Sequence, residues 1–453
     1  MWPFKRTLSE RYSKLVKLIK SIDSHFQMTE NKEDSLRLHL PNYKGNQPMD
    51  FHIYMMEPFL FISFVTEIEG EKISCVNNFP KDTDQQDMFN VAMSNNLNKI
   101  HQVLDNLYSE DKVEKKDDEE NKEFIDEHGA VYNRYDHSLI SGPKDAECYI
   151  IMDGTEYIGK AAFEGCKKLR SITIPNSVKI INEFAFCRCE CLQSIIIPDS
   201  VIEIKGNAFS DCKSLRNINI PNSISTINDY TFHCCYSLEK ILIPKSVTSI
   251  GNSAFGLCKS LQSIVIPETV KSIGRGAFGY CESLKTIRIP QFVSTIQMAT
   301  FANCKSLESI ELSCNIKEIE EKAFLDCKSL RSVIIPKSIN EIKSQIFSGC
   351  ESLESIVIPD SVTSIEGFAF SLCSSLKSVI IPNSVRFIGM KAFCLCTSLE
   401  FIMIPDSVNF IGKDVFYGCS SLKSILVSKQ SFNRIKGLLP LENHDVIKLN
   451  NHI

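Results

Sequence analysis

The sequence predicts a small α+β domain followed by a β-rich solenoid of about twelve coils, each 23 residues long. Three observations predict the solenoid: a phenylalanine, a cysteine and a leucine recur in step, at this period, without an insertion. A repeat kept in step over twelve copies is typical of stacked coils and not of an isolated globular domain. The phenylalanines are Phe163, Phe186, Phe209, Phe232, Phe255, Phe278, Phe301, Phe324, Phe347, Phe370, Phe393 and Phe416.

One copy reads L-x-x-I-x-I-P-x-S-V-x-x-I-x-x-x-A-F-x-x-C, as in residues 353–373. Ile356 and Ile358 alternate with Ser355 and Val357, the period-two pattern of a strand with one buried face. Pro359 has no main-chain donor, so it marks where this strand turns. The serine after the proline recurs from copy to copy. Because serine side chains bond main-chain groups in turns, we expect this series to tie each coil to the next.

This pattern resembles the BspA-like leucine-rich repeat family, also called the Treponema pallidum type, over residues 128–427. The resemblance implies a repeat solenoid. It does not select a function, because such folds host many binding roles.

Residues 1–108 predict the small α+β domain. Apolar residues in 7–26 and in 85–108 recur at helical spacing. Between them, alternating or β-rich stretches separated by glycine and proline predict four strands at residues 35–40, 50–56, 59–68 and 72–76. The order helix, strands, helix faintly resembles the YbjN-like and type III secretion chaperone-like folds. The first helix carries Lys14, Lys17 and Lys20 on its polar face, so weak membrane contact is the alternative to packing on its own sheet.

Residues 109–127 carry ten acidic and four basic side chains, which predicts a solvated linker. Residues 128–148 then predict a hairpin cap with its turn at 133–137, because an open first coil would invite strand pairing. The solenoid proper is predicted over 149–427. Residues 428–453 lose the repeat pattern and predict a C-terminal cap.

Composition limits the partners and the cellular location that we expect for the protein. The net charge of −5 gives no attraction to polyanions, so we expect no nucleic-acid partner. The N-terminal stretch lacks the apolar core of a signal peptide, and no apolar run is long enough to span a bilayer. These features favour a cytoplasmic protein, with export by a non-classical route as the alternative.

Twelve of the 19 cysteines occupy one repeat position, from Cys166 to Cys419. We interpret them as reduced, buried side chains that pack as small apolar groups. A zinc site is the alternative interpretation. Cys187, Cys189 and Cys191 lie close together in the sequence, and His233 occupies the position of Cys187 two coils later. Coils two apart lie roughly 10 Å from each other, too far for both to bind one ion without distortion. We therefore predict no metal site.

No catalytic motif stands out. The sequence has no nucleophile elbow, Walker A sequence, H-E-x-x-H motif or dinucleotide fingerprint. We expect no enzymatic activity, no cofactor and no catalytic residue.

The position between the two buried strand isoleucines varies from coil to coil and points away from the core. In five consecutive coils it is apolar, and contiguous exposed apolar surface often marks an interaction site. The alternative is that branched residues simply favour strands. The candidate partner-binding residues, here called the apolar stripe, are Ile334, Val357, Ile380, Met403 and Leu426.

Three functions fit these patterns. The first is a non-enzymatic scaffold that binds a protein partner through the exposed strand face of the solenoid. The second is a surface-exposed or secreted adhesin or virulence factor. The third is a regulator or chaperone-like protein whose N-terminal domain acts on clients that the repeats select. The sequence does not identify the partner.

Overall fold

The structure, a computed structural model, describes the main chain of residues 27–31, 35–43, 47–56, 59–68 and 71–80, and then residues 122–439 and 441–449. The chain divides into two compact units, Met1–Glu120 and Asn121–Ile453. The predicted helices at 7–26 and 85–108 lie outside the described residues.

The first unit contains a five-stranded antiparallel sheet in chain order. Four of its strands lie on the stretches that the sequence predicts as strands, and the first precedes them. The strands are β1 (Gln27–Asn31), β2 (Ser35–Tyr43), β3 (Gln47–Met56), β4 (Phe59–Ile68) and β5 (Glu71–Pro80).

The second unit begins with three short strands, β6 (Glu123–Ile125), β7 (Val131–Asn133) and β8 (Ser138–Ser141). They pair antiparallel in this order, so the end of the stretch predicted as linker takes part in the cap. The turn between β7 and β8 falls at the predicted residues, where Asn133 Oδ1 accepts hydrogen bonds from the N–H of Tyr135 at 2.8 Å and of Asp136 at 3.3 Å.

Each solenoid coil contributes a first strand at its Ser-Ile-x segment, and these strands stack in parallel as row A. Isolated bridges at Ser332, Ile334 and Ser355 continue the row through two coils. Row A comprises β9 (Cys148–Ile150), β11 (Ser171–Thr173), β13 (Ser194–Ile195), β15 (Asn217–Ile218), β17 (Lys240–Leu242), β19 (Ser263–Val265), β21 (Thr286–Arg288), β23 (Ser309–Glu311), β27 (Ser378–Ile380), β29 (Phe401–Met403), β31 (Ser424–Val427) and β32 (Ile447–Leu449).

A second row of two-residue strands, row B, follows the turn after row A and was not predicted from the sequence. Its inward residue is the third isoleucine of the repeat, which is buried. Row B comprises β10 (Tyr157–Ile158), β12 (Ile180–Ile181), β14 (Glu203–Ile204), β16 (Thr226–Ile227), β18 (Ser249–Ile250), β20 (Ser272–Ile273), β22 (Thr295–Ile296), β24 (Glu318–Ile319), β25 (Glu341–Ile342), β26 (Ser364–Ile365), β28 (Phe387–Ile388) and β30 (Phe410–Ile411).

The third side of each coil holds the phenylalanine and cysteine, and it also bonds to the next coil. The N–H groups of Ser253, Phe255 and Leu257 donate to carbonyl oxygens of the following coil at 2.7–2.8 Å. Ser253 and Leu257 adopt positive φ angles of 47° and 62°, and the equivalent residues of the other coils do the same. Two left-handed residues therefore flank each phenylalanine and turn the chain around its ring.

The phenylalanine rings form one continuous stack through the core. Neighbouring rings are nearly parallel, and their centroids lie 5.2–6.0 Å apart. Tyr149 ends the stack, with its ring centroid 5.8 Å from that of Phe163. Tyr149 also donates a 2.6 Å hydrogen bond to Asp126 of the cap and shares one of 2.6 Å with Tyr132.

The solenoid has about 13 turns of roughly 23 residues, one more than the sequence indicated. The chain segment before the first coil packs tightly on the first phenylalanine of the stack. A Cβ atom on Gly142 would lie only 2.0 Å from the ring of Phe163. Glycine is therefore the residue that lets the main chain approach this ring.

Most members of the serine series bond to the preceding coil, and Ser200 and Ser384 are exceptions among the described residues. Ser246 Oγ donates to Ile224 O at 2.7 Å, Ser361 Oγ to Ile339 O at 2.5 Å, and Ser407 Oγ to Val385 O at 2.6 Å. Each bond satisfies a carbonyl of the preceding coil at the turn between rows A and B.

Replacing Ser361 by alanine should lower the free energy of unfolding by about 0.5–1.5 kcal/mol, because it removes one such hydrogen bond. Ser384, at the same position one coil later, is the matched control. Its Oγ atom is buried and has no hydrogen-bond partner among the described residues. Ser384→Ala should therefore be neutral or stabilising in urea unfolding, and equal losses for the two variants would contradict the role of the bond.

The C-terminal cap consists of helix α1 (Phe432–Leu438), a 3-10 turn (Leu441–Val446) and β32, which pairs with β31. The guanidinium of Arg434 donates to the carbonyl oxygens of Val408 and Asp406, and Ile435 is buried. Among the described residues, no helix is long and apolar enough to cross a bilayer.

Candidate functional site

The apolar stripe lies on the outer surface of row A, as its alternation predicts. Each stripe residue follows a buried Ile or Val of the core, so its side chain takes the opposite face of the strand. Ile334, Val357 and Ile380 are 86%, 81% and 63% exposed. Met403 and Leu426 are less exposed, because both are half-buried. The stripe is therefore most accessible over its first three coils.

The structure brings the stripe residues next to one another. Ile334 is bridged to Val357, Ile380 pairs with Met403, and Met403 pairs with Leu426, all in parallel. Neighbouring strands of a sheet lie about 4.8 Å apart, so the side chains form a nearly continuous ridge.

Two further apolar residues at the same repeat position are largely exposed, and the five-residue stripe does not include them. Leu242 and Val265 are 78% and 75% exposed and form a second, shorter ridge. Their position in the repeat is the same as that of the stripe, so the sequence contained the signal. They are separated from the stripe by two coils that carry Arg288 and Glu311 at this position.

An ion-pair network separates the two ridges. Arg288 occupies the same outward position, and its guanidinium lies 2.9 Å from Glu268 Oε1 and 3.4 Å from Glu311 Oε1. All three side chains are largely exposed, so the network contributes little to stability. It does interrupt the apolar surface with charge over two coils.

A row of alternating charge runs beside the stripe, at the residue that precedes each first strand. Successive coils carry opposite signs here, and directly opposed like charges would destabilise a sheet. In one of these pairs, Lys423 Nζ lies 2.8 Å from Glu400 Oε2. The row is Lys285, Glu308, Arg331, Glu354, Lys377, Glu400 and Lys423.

The cysteines form a ladder of hydrogen-bond donors. In the middle of the array, Cys281 Sγ donates to Phe255 O at 3.3 Å and Cys304 Sγ to Phe278 O at 3.2 Å. Burial raises the pKa of the Cys281 thiol well above its ordinary value and that of Cys304 to about 12. These thiols are protonated, structural groups and not nucleophiles.

Cys187, Cys189, Cys191 and His233 do not form a metal centre. Cys189 Sγ donates to Phe163 O at 3.1 Å as part of the ladder. Burial lowers the pKa of His233. Within residues 122–449 as described, no group of three His, Cys, Asp or Glu side chains could hold a metal ion.

The two strand rows, the aromatic stack and the repeated serine turn define a leucine-rich repeat solenoid. Its sequence matches the model described as "BspA type Leucine rich repeat region (6 copies)" over residues 146–261, 225–354 and 340–438. The chain belongs to this family. A comparison with curated proteins gives no match.

Several solved structures are similar to this chain. A leucine-rich repeat protein from Bacteroides ovatus is 29% identical with a TM-score of 0.48, and the match covers 73% of this chain and 98% of that one. A leucine rich cell surface protein from Faecalibacterium prausnitzii is 24% identical with a TM-score of 0.43, covering 69% and 94%. The T. pallidum leucine-rich repeat protein is 24% identical with a TM-score of 0.31, covering 51% and 86%.

Proposed function

We propose that this chain is a non-enzymatic recognition protein that binds a protein partner through the apolar stripe on row A. The observation that supports the proposal is the exposure of Ile334, Val357 and Ile380 on three consecutive coils of row A. Large exposed apolar patches mark interaction sites in soluble proteins. The core does not need these side chains, because Val333, Ile335, Ile356, Ile358, Val379 and Ile381 fill it.

A cytoplasmic scaffold and a surface-exposed or secreted adhesin would both use this surface. One of the matched structures is described as a cell surface protein, and that description is nearer to the adhesin than to the scaffold. Fractionation of native cells into cytoplasm, envelope and medium, followed by immunoblotting, separates the two: recovery with the envelope or medium supports the adhesin.

The stripe is tested by changing Val357 and Ile380 together to serine in the full chain. Surface substitutions usually change stability by less than about 0.5 kcal/mol each, so thermal unfolding should barely shift. If the stripe is the centre of an interface, each lost anchor costs about 1–2 kcal/mol of binding. The experiment titrates native extract over immobilised protein. The double variant should need at least about tenfold more extract than the parent chain to retain the same amount of partner.

The matched control is Ile202→Ser. Ile202 is 60% exposed but precedes a row B strand, away from the stripe. It should retain the partner as the parent chain does. Full retention by the double variant would show that the stripe reflects only the preference of branched residues for strands.

A further inference from the structure

The two rows of strands are covered differently at the N-terminal end of the solenoid. Row B continues through β8 into the antiparallel strands β7 and β6. Row A starts at β9, and among the described strands β9 pairs only with β11. The N-terminal cap therefore covers one row and leaves the other with an outermost strand.

The main-chain groups on the outer edge of β9 have no partner within the described part of the chain. Glu147 O accepts from Arg170 N at 2.7 Å, and Ile151 N donates to Thr173 O at 3.1 Å, so these residues face β11. Because alternate residues of a strand bond in opposite directions, the N–H and C=O groups of Cys148 and Ile150 point to the open side.

The open side of β9 has room for another strand. A cleft of about 430 Å³ lies there, between the loop at His128 and Gly129 and the segment from Pro143 to Cys148. Cys148 is exposed and Ile150 is half-buried. An accessible edge of this kind is a template for strand addition.

Row A has a second outermost strand at the other end of the solenoid. β32 lies parallel to β31 and pairs with no other described strand. It runs in the same direction as the rest of the row, so β32 of one molecule could continue row A of another in parallel. Leu449 of β32 is exposed.

The two ends also differ in charge. Residues 122–153 contain seven carboxylates and three basic side chains, whereas residues 428–449 contain four basic side chains and two carboxylates. Opposite charge favours contact between unlike ends. Two-fold pairing of β9 with a second β9 would instead bring two acidic ends together.

We propose that a second copy of this chain is the partner of the β9 edge, with its β32 added as a parallel strand in a head-to-tail contact. Such a contact uses a different surface on each molecule, so a pair still has a free β9 edge and a free β32 edge for further copies. Short, weak oligomers that lengthen with concentration are the expected result. The contact is independent of the apolar stripe.

The test is sedimentation velocity of the full chain over a dilution series, with a reducing agent present to prevent disulfides. The weight-average mass should rise above 51.2 kDa with concentration and should not stop at a dimer. Higher salt should shift the association to higher concentration, because the attraction between the ends is screened.

Cys148→Pro removes the N–H that points to the open side and keeps the main-chain bonds to β11. It also removes the side-chain bond that Ser171 Oγ donates to Cys148 Sγ at 3.1 Å. This variant should need a protein concentration at least about tenfold higher than the parent chain to reach the same weight-average mass. Cys148→Ser is its control, because it removes the sulfur but keeps the N–H, and it should associate like the parent. Lys448→Glu reverses a charge on β32 and should also weaken association, with an unchanged thermal unfolding curve showing that the fold persists.

Three results would overturn the proposal. The first is a parent chain that stays monomeric at every concentration. The second is association that neither Cys148→Pro nor Lys448→Glu weakens. The third is a mass that stops at a dimer and is insensitive to Lys448→Glu, which would indicate two-fold pairing instead.

Discussion

Replacing Phe278 by alanine is expected to destabilise the middle of the solenoid by about 3–5 kcal/mol, as truncation of a large core side chain does. The Phe278 ring is fully buried and lies between the rings of Phe255 and Phe301, with centroids 5.5 and 5.7 Å away. Its loss leaves a cavity that the fixed spacing of the coils prevents from closing. Urea unfolding of the parent and variant measures the effect.

The damage should remain local, because each coil contacts only its neighbours. Hydrogen exchange should rise across residues 255–301 and barely change near Phe393. Phe292→Ala is the control, since that ring is 59% exposed on the turn and should cost little. Uniform loss of protection along the array would show that the cavity weakens distant coils as much as the adjoining ones.

The first strand row and the aromatic core could be predicted because each has a repeated chemical signature. A phenylalanine every 23 residues has to stack on its counterparts once the coils are aligned. The alternation around residues such as Ile356 and Ile358 identifies a half-buried strand. Row B could not be predicted, because two residues are too few to show a period.

The tight turns beside each phenylalanine could not be predicted from the sequence either. Positive φ normally requires glycine, yet Leu257, Tyr280 and Lys322 occupy these positions with φ angles of 62°, 61° and 58°. A left-handed L-residue costs roughly 1–2 kcal/mol. Hydrogen bonds such as that from Leu257 N to Gly279 O, 2.7 Å long, offset the cost between coils.

The candidate site was predictable in position but not in extent. The repeat pattern alone placed Val357 and its neighbours on the outer face. It could not show that Met403 and Leu426 are half-buried, because the exposure of a side chain also depends on residues from other coils. Nor could it show that Arg288 joins Glu268 to Glu311, which are 43 residues apart in the chain.

The cysteine ladder leads to the largest effect that we expect, a steep loss of stability in mild alkali. Eight ladder thiols in the middle of the array have their pKa raised, chiefly by burial. An unfolded cysteine titrates near pH 8.5. The residues are Cys212, Cys235, Cys258, Cys281, Cys304, Cys327, Cys350 and Cys373.

Because the folded pKa lies above the unfolded value, the folded chain keeps these protons while the unfolded chain loses them. Their contribution is complete below about pH 8.5 and is lost as the pH rises above it. Between about pH 8 and pH 9.5, each thiol costs roughly 1.3 kcal/mol, or about 10 kcal/mol for all eight. This loss is comparable with the whole stability of a typical domain.

Urea unfolding at a series of pH values measures this loss while lysine and tyrosine remain largely protonated. The double variant Cys258→Ala/Cys281→Ala is the control: it is less stable at neutral pH, but its stability should fall about one quarter less steeply above pH 8.5, because two of the eight thiols are gone. The slope separates the two effects, since a cavity lowers stability equally at every pH. A parent slope no steeper than that of one thiol, about 1.4 kcal/mol per pH unit, would mean that the coils open one at a time and that the ladder does not titrate as a unit.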